Sequence, residues 1–178
     1  MNPIKKPKLI KGLAAATLVL AVAPFTLPAQ VHLERAAVVP ADAATVYALV
    51  SSSQGFQQFN PWRDNDPSLK ITLTGPASGV GSGFIFEGAE GRGTQTITAV
   101  EKNRAVTMLI DLGPMGQPVQ TFLLSPQDGG TRVTWTLDSE FGFNPVGRVM
   151  GLFMDGMLGQ TWERGLNNLS IASKQNAA

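Results

Sequence analysis

The chain has 178 residues, with 14 basic against 13 acidic side chains, 43% hydrophobic residues and no cysteine. That composition suits one globular domain and excludes wholesale disorder, while a net charge of +1 offers no field for nucleic acid. Without cysteine, and with His32 as the sole histidine, disulfides, thiolate nucleophiles and histidine-rich metal sites are excluded together.

Residues 1–30 stand apart. Lys5, Lys6, Lys8 and Lys11 precede an uncharged run rich in Ala, Leu and Val from Gly12 to Gln30. This is the order of a signal peptide or a membrane anchor whose positive flank stays in the cytoplasm. Cleavage after Ala29 would put Leu27 where a small residue is preferred, and cleavage after Ala23 would be followed by Pro24. The segment therefore leans towards an uncleaved anchor. The run is shorter than the ~20 residues of a spanning helix unless Leu9 and Ile10 join it.

Val31 to Val39 reads as a first strand, stopped by Pro40. Asp42 is placed to cap a helix over Ala43–Val50, where Val46, Leu49 and Val50 recur at helical spacing. A short helix or turn holding Phe56 and Phe59 then leads into Asn60-Pro61-Trp62. From Leu69 to Phe141 the period becomes two. The segments 70–74, 83–87, 94–100, 105–112, 119–124 and 132–140 alternate apolar with polar residues between breaks rich in Gly, Pro and Asn. These are antiparallel strands wet on one face. Ile71, Leu73, Phe84, Phe86, Ile97, Ala99, Met108, Ile110, Phe122, Leu124, Val133, Trp135 and Leu137 are expected on the inner face, with threonines dominating the outer one. Asn144 and Pro145 open a final helix over Val146–Ala172, about 40 Å long. It contains Gly147, Gly151, Gly156, Gly159 and Gly165, each costing ~1 kcal/mol against alanine. These glycines, with Met150 and Met157, are expected to leave room between helix and sheet. Residues 31–172 form the expected domain and 173–178 a frayed tail.

The fold class is therefore α+β: a helix-grip fold, in which a curved antiparallel β-sheet wraps around a long C-terminal α-helix. Val46-Tyr47-Ala48-Leu49-Val50, Phe59-Asn60-Pro61-Trp62, Gly79-Val80-Gly81 and Gly130-Thr131-Arg132-Val133-Thr134-Trp135 occur in an order that resembles the START/polyketide-cyclase (SRPBCC) superfamily. The similarity is to bacterial members with an N-terminal membrane segment. The resemblance implies a hydrophobic ligand (lipid, sterol, polyketide or quinone) in an internal cavity, and cyclase chemistry in some members. It does not deliver a reaction.

Most chemical motifs read as structure. His32 lacks the partners of a Ser-His-Asp arrangement, and no G-x-S-x-G elbow exists. Asp64-Asn65-Asp66 resembles the start of a calcium loop, but Pro67 follows and Gly75 stands where the bidentate Glu belongs. The glycine runs 79–83 and 88–93 join strands rather than open a helix of a βαβ unit, so hairpin geometry explains them. Asp138 and Glu140 fall on the wet face. Asp155, if turned inward, would be a desolvated acid or base. Arg63 beside Trp62 is a possible anchor for an anionic head group.

The leading expectation is carriage of a hydrophobic small molecule by a domain on the periplasmic side of the inner membrane, attached through residues 1–30. With the leader cleaved it would be periplasmic or secreted. No catalytic residue, cofactor, metal or nucleic-acid partner is assigned. The expected lining is Phe59, Trp62, Phe84, Phe86, Ile97, Met108, Ile110, Phe122, Trp135, Phe153 and Met157. The first alternative is a cyclase or dehydrase using Asp155 or Tyr47. The second is a protein-interaction domain whose cavity is filled by Trp62, Trp135 and Trp162, which a cavity below ~300 Å³ would favour.

Overall fold

The computed structural model describes residues 23–89 and 91–176. Seven strands, β1 (Gln30–Val39), β2 (Lys70–Thr74), β3 (Gly83–Gly88), β4 (Gly91–Glu101), β5 (Ala105–Asp111), β6 (Val119–Gln127) and β7 (Gly130–Glu140), form one antiparallel sheet. Its spatial order is β1-β7-β6-β5-β4-β3-β2. Helix α1 (Ala43–Val50) and the short helices α2 (Ser53–Phe56) and α3 (Trp62–Asn65) connect β1 to β2. Helices α4 (Pro145–Gly151) and α5 (Met154–Asn176) follow β7. This is the helix-grip α+β architecture, with α5 packed along β1.

Local chemistry accounts for the joints. The Asp42 carboxylate accepts the Thr45 amide at 2.7 Å and starts α1, while the Ser52 hydroxyl accepts the Gly55 amide and starts α2. Buried Ser82 accepts the Ser53 amide and donates to the Ser53 hydroxyl, both at 3.1 Å, tying the α1–α2 corner to the start of β3. The β2–β3 connection turns on Gly75, Gly79 and Gly81, all at positive φ. At Gly75 an added Cβ would overlap the Gly81 carbonyl, so both conformation and space require glycine there. Leu33, Val39, Ile97, Val106, Met108, Phe122, Leu124, Val133 and Trp135 are buried on the inner face with Trp162, Leu166 and Leu169 of α5.

The alternation holds in two places less simply than expected. The β4–β5 register shifts between Ile97 and Ala99. Ala99 therefore turns outward and is exposed, and Val100 packs against the core instead. Leu73 is 50% exposed, because β2 is the edge strand on the side of the sheet away from β1 and α5.

The single final helix divides in two. Leu152 and Phe153 donate their amides three residues back, to Val149 and Met150, a tightened turn that separates α4 from α5. The tail is not frayed where described: α5 continues to Asn176, and Ser173 is fully buried. The glycines do not hollow out the interface either. An added Cβ would fall 2.6 Å from the Phe141 ring at Gly147, 2.8 Å from it at Gly151, against the Arg35 guanidinium at Gly159, and 2.7 Å from Trp135 at Gly165. They permit close approach of large neighbours; only Gly156 faces open space.

Residues 1–22, with the lysines and most of the apolar run of the expected leader, lie outside the described residues. The end of that segment belongs to the domain: Ala23–Thr26 form a 3-10 turn and Gln30 opens β1. Arg148 of α4 donates to the Phe25, Leu27 and Gly142 carbonyls and holds this turn in place. Among the described residues no helix is long and apolar enough to cross a membrane.

Candidate functional site

The inner face of the sheet divides into two zones. One is closed by aromatic packing. Phe56 meets Phe59 edge-on at 4.9 Å, Phe122 meets Trp135 at 4.8 Å, and Trp135 stacks on Trp162 at 4.6 Å with only 8° between the planes. The other zone is a hollow of about 270 Å³. Phe56, Trp62, Leu69, Ile71, Phe84, Phe86, Ile110, Leu112, Met115, Pro118, Leu137, Met154, Leu158 and Trp162 make its apolar walls.

A row of polar side chains floors the hollow at the boundary. Gln95 of β4 and Gln120 of β6 are both buried and both line it. Each donates its side-chain amide to the Met108 thioether, at 3.0 and 3.2 Å. Gln120 also accepts the Trp135 indole N–H at 3.1 Å. A thioether is a weak acceptor, so two amides sharing one sulfur are poorly served. The indole N–H of Trp162, another lining residue, is buried without an acceptor. The floor therefore offers donors that an oxygen atom would satisfy better than the protein does.

The rim is pinned by Asp66. Its carboxylate accepts the Ser68 hydroxyl, the Ser68 amide at 2.9 Å and the Ala89 amide at 2.7 Å, joining the α3–β2 loop to the β3–β4 hairpin. The hydrogen bonds from Ser68 and Ala89 hold its carboxyl below the usual range. Gly88 lets that carboxylate approach, since an added Cβ would overlap it. Asp66 and Arg92 are the ionisable groups of the lining.

Of the residues expected to line the cavity, Trp62, Phe84, Phe86 and Ile110 face the hollow. Phe59, Ile97, Met108, Phe122 and Trp135 are buried in the closed zone behind the floor. Phe153 and Met157 are each 60% exposed on the outside, because the α4–α5 turn directs them away from the sheet. Asp155 is not inward either. It is 64% exposed and accepts Arg35 Nη2 at 2.7 Å. Arg35, on the inner parity of β1 and under α5, also lies 3.4 Å from Glu163. Tyr47 is half-buried on α1 and outside the lining. Arg63 is exposed and outside it too, and Arg92 is the cation at the rim. Asp64 accepts the Asn168 amide, and His32 pairs with Asp138 at 2.7 Å across β1–β7.

Gln95, Gln120 and Arg35 were missed, yet each carried a signal. All three are polar residues at inward positions of strands that otherwise bury apolar side chains. The loop contributors Leu69, Leu112, Met115 and Pro118 carried none, since loops have no period.

The fold has many solved counterparts. A Thalictrum norcoclaurine synthase variant, solved with a transition-state analogue, is 14% identical, with a TM-score of 0.63 over 84% of this chain and 97% of that one. The di-domain ARO/CYC StfQ of the steffimycin biosynthetic pathway is 9% identical, with a TM-score of 0.61 over 99% of this chain and 63% of that one. A protein of Rhizobium leguminosarum is 16% identical, with a TM-score of 0.57 over 82% and 95% of the two chains. At such identities the likeness is one of fold alone. No curated protein matches the chain. The family described as polyketide cyclase / dehydrase and lipid transport matches residues 30–172, nearly the whole described region. The chain belongs to that family.

Proposed function

We propose that the protein binds and carries a small apolar molecule of about two fused rings, or a chain of similar bulk, bearing one oxygen that meets Gln95 and Gln120. The carrying observation is the apolar hollow floored by two buried amides that have only a thioether to donate to. At 270 Å³ it lies under the ~300 Å³ where drug-sized pockets begin, on the side of that threshold that favours the protein-interaction alternative with a closed cavity. It is still nearly twice the ~150 Å³ that accepts a benzene ring. Trp135 and Trp162 have taken part of the space, which argues against a two-chain lipid and for a compact ligand. Binding is favoured over cyclisation because Asp155 is outside, Tyr47 is not in the lining, and the Asp66 carboxylate is occupied by the loops it joins. We place this carrier at the periplasmic side of the inner membrane, on the lysines and apolar run of residues 1–22.

Melting curves and native mass spectrometry with 2-naphthol, naphthalene and a dipalmitoyl phospholipid test the ligand reading. At ten times its Kd a ligand stabilises by about 1.4 kcal/mol, or roughly 3–6 °C for a domain of this size. The expected order is 2-naphthol, then naphthalene, with no shift from the phospholipid. Absence of a shift with both ring compounds would overturn it.

A further inference from the structure

We propose that the outward face of α4 and of the first turns of α5 is a docking surface for a lipid bilayer. Val146, Val149, Met150, Phe153 and Met157 recur at helical spacing and are all exposed: Val146 by 69%, and Phe153 and Met157 by 60% each. Phe143 beside them is 88% exposed. The amphipathicity of α4 is inverted relative to an ordinary surface helix. Its glycines, Gly147 and Gly151, lie on the Phe141 ring, and its large apolar side chains point away from the protein. The two charged residues between Phe143 and Met157 are both engaged with partners off this face. Arg148 is spent on the Phe25, Leu27 and Gly142 carbonyls, and Asp155 is paired with Arg35.

The path of the chain selects the occupant. The 22 residues preceding Ala23 enter the domain at this corner, through the 3-10 turn that Arg148 fastens to α4. In sequence they carry four lysines followed by an apolar run with no polar side, a composition suited to lipid rather than to covering one helix face. The exposed Phe25 continues the patch onto that turn. Met154 and Leu158, interleaved with the exposed residues of α5, line the hollow. Docking here would set one wall of the ligand site against the membrane surface.

The inference deepens the location given above and is independent of the ligand's identity. Because the chain lacks cysteine, Phe153→Cys and Asp128→Cys in the full chain each carry one polarity-sensitive fluorophore. Asp128 is exposed in the β6–β7 turn, at the opposite end of β7 from α4. On vesicles of equal parts phosphatidylethanolamine and phosphatidylglycerol, the label at 153 should shift to the blue and be quenched by brominated acyl chains, and the label at 128 should do neither. If the chain sediments with vesicles while the label at 153 stays in water, the docking face is overturned and the location stands. A chain that does not sediment overturns both. A blue shift without vesicles that grows with protein concentration would show a second copy on this face and overturn the lipid assignment.

Discussion

Replacing Gln95 with leucine separates the floor's role in binding from its role in folding. Gln95 makes one side-chain hydrogen bond, to the Met108 sulfur, whereas Gln120 also satisfies the buried Trp135 indole. Gln95→Leu exchanges a buried amide with a weak partner for an apolar side chain one bond shorter at the edge of the hollow, so stability should move by less than about 1 kcal/mol. Gln120→Leu strands the indole N–H and should cost about 1–3 kcal/mol. For binding, losing one amide contact to a ligand oxygen is worth about 0.5–1.5 kcal/mol, roughly a two- to thirteenfold rise in Kd. The assay is titration calorimetry of wild type and Gln95→Leu with 2-naphthol and with naphthalene. Only the oxygen-bearing ligand should weaken; naphthalene should bind equally well or better. Equal losses for both would mean that Gln95 shapes the wall without meeting an oxygen, and the reasoning about the floor would fail.

Gly165→Ala should destabilise by about 1–3 kcal/mol, because its Cβ would meet the buried Trp135 ring and Pro61. Gly156→Ala, with nothing nearby, should stabilise by about 0.5–1 kcal/mol through helix propensity; chemical denaturation reads both. The His32 pKa is raised above 6.5, first by the hydrogen bond with Asp138. The pair's contribution is therefore complete below pH 6.5 and is lost as pH rises through the folded value. Both partners are more than half exposed, which keeps that contribution below about 1 kcal/mol. Proton NMR of the lone imidazole should show a midpoint above 6.5 that returns towards it in Asp138→Asn. Asp155→Asn should leave 2-naphthol affinity unchanged and cost at most about 1 kcal/mol, since the Arg35 pair is largely solvated on the Asp155 side. A tenfold loss of affinity in that variant would return Asp155 to the site.

The sheet was legible because strands of period two with one wet face leave little freedom. Residues as far apart as Leu33 and Leu137 pair as their parity requires. The Asn144 and Asp42 caps were legible because their side chains act within three residues. Long-range packing was not. Gly159 and Gly165 read as missing bulk, but the bulk comes from Arg35 on β1 and Trp135 on β7. The site was half legible. Phe84, Phe86 and Ile110 follow from parity, yet parity cannot say that Phe122 lies behind the floor while Gln120, two residues earlier, faces the hollow. That boundary depends on where the aromatic rings of α2 and α5 land.

The near-parallel stack of Trp135 on Trp162 gives the molecule an optical gauge of its own. Two indoles 4.6 Å apart couple their ultraviolet transitions, and only Trp162 borders the hollow. A guest that tilts that ring changes the couplet in circular dichroism, so occupancy can be followed on the unlabelled protein with a spectropolarimeter.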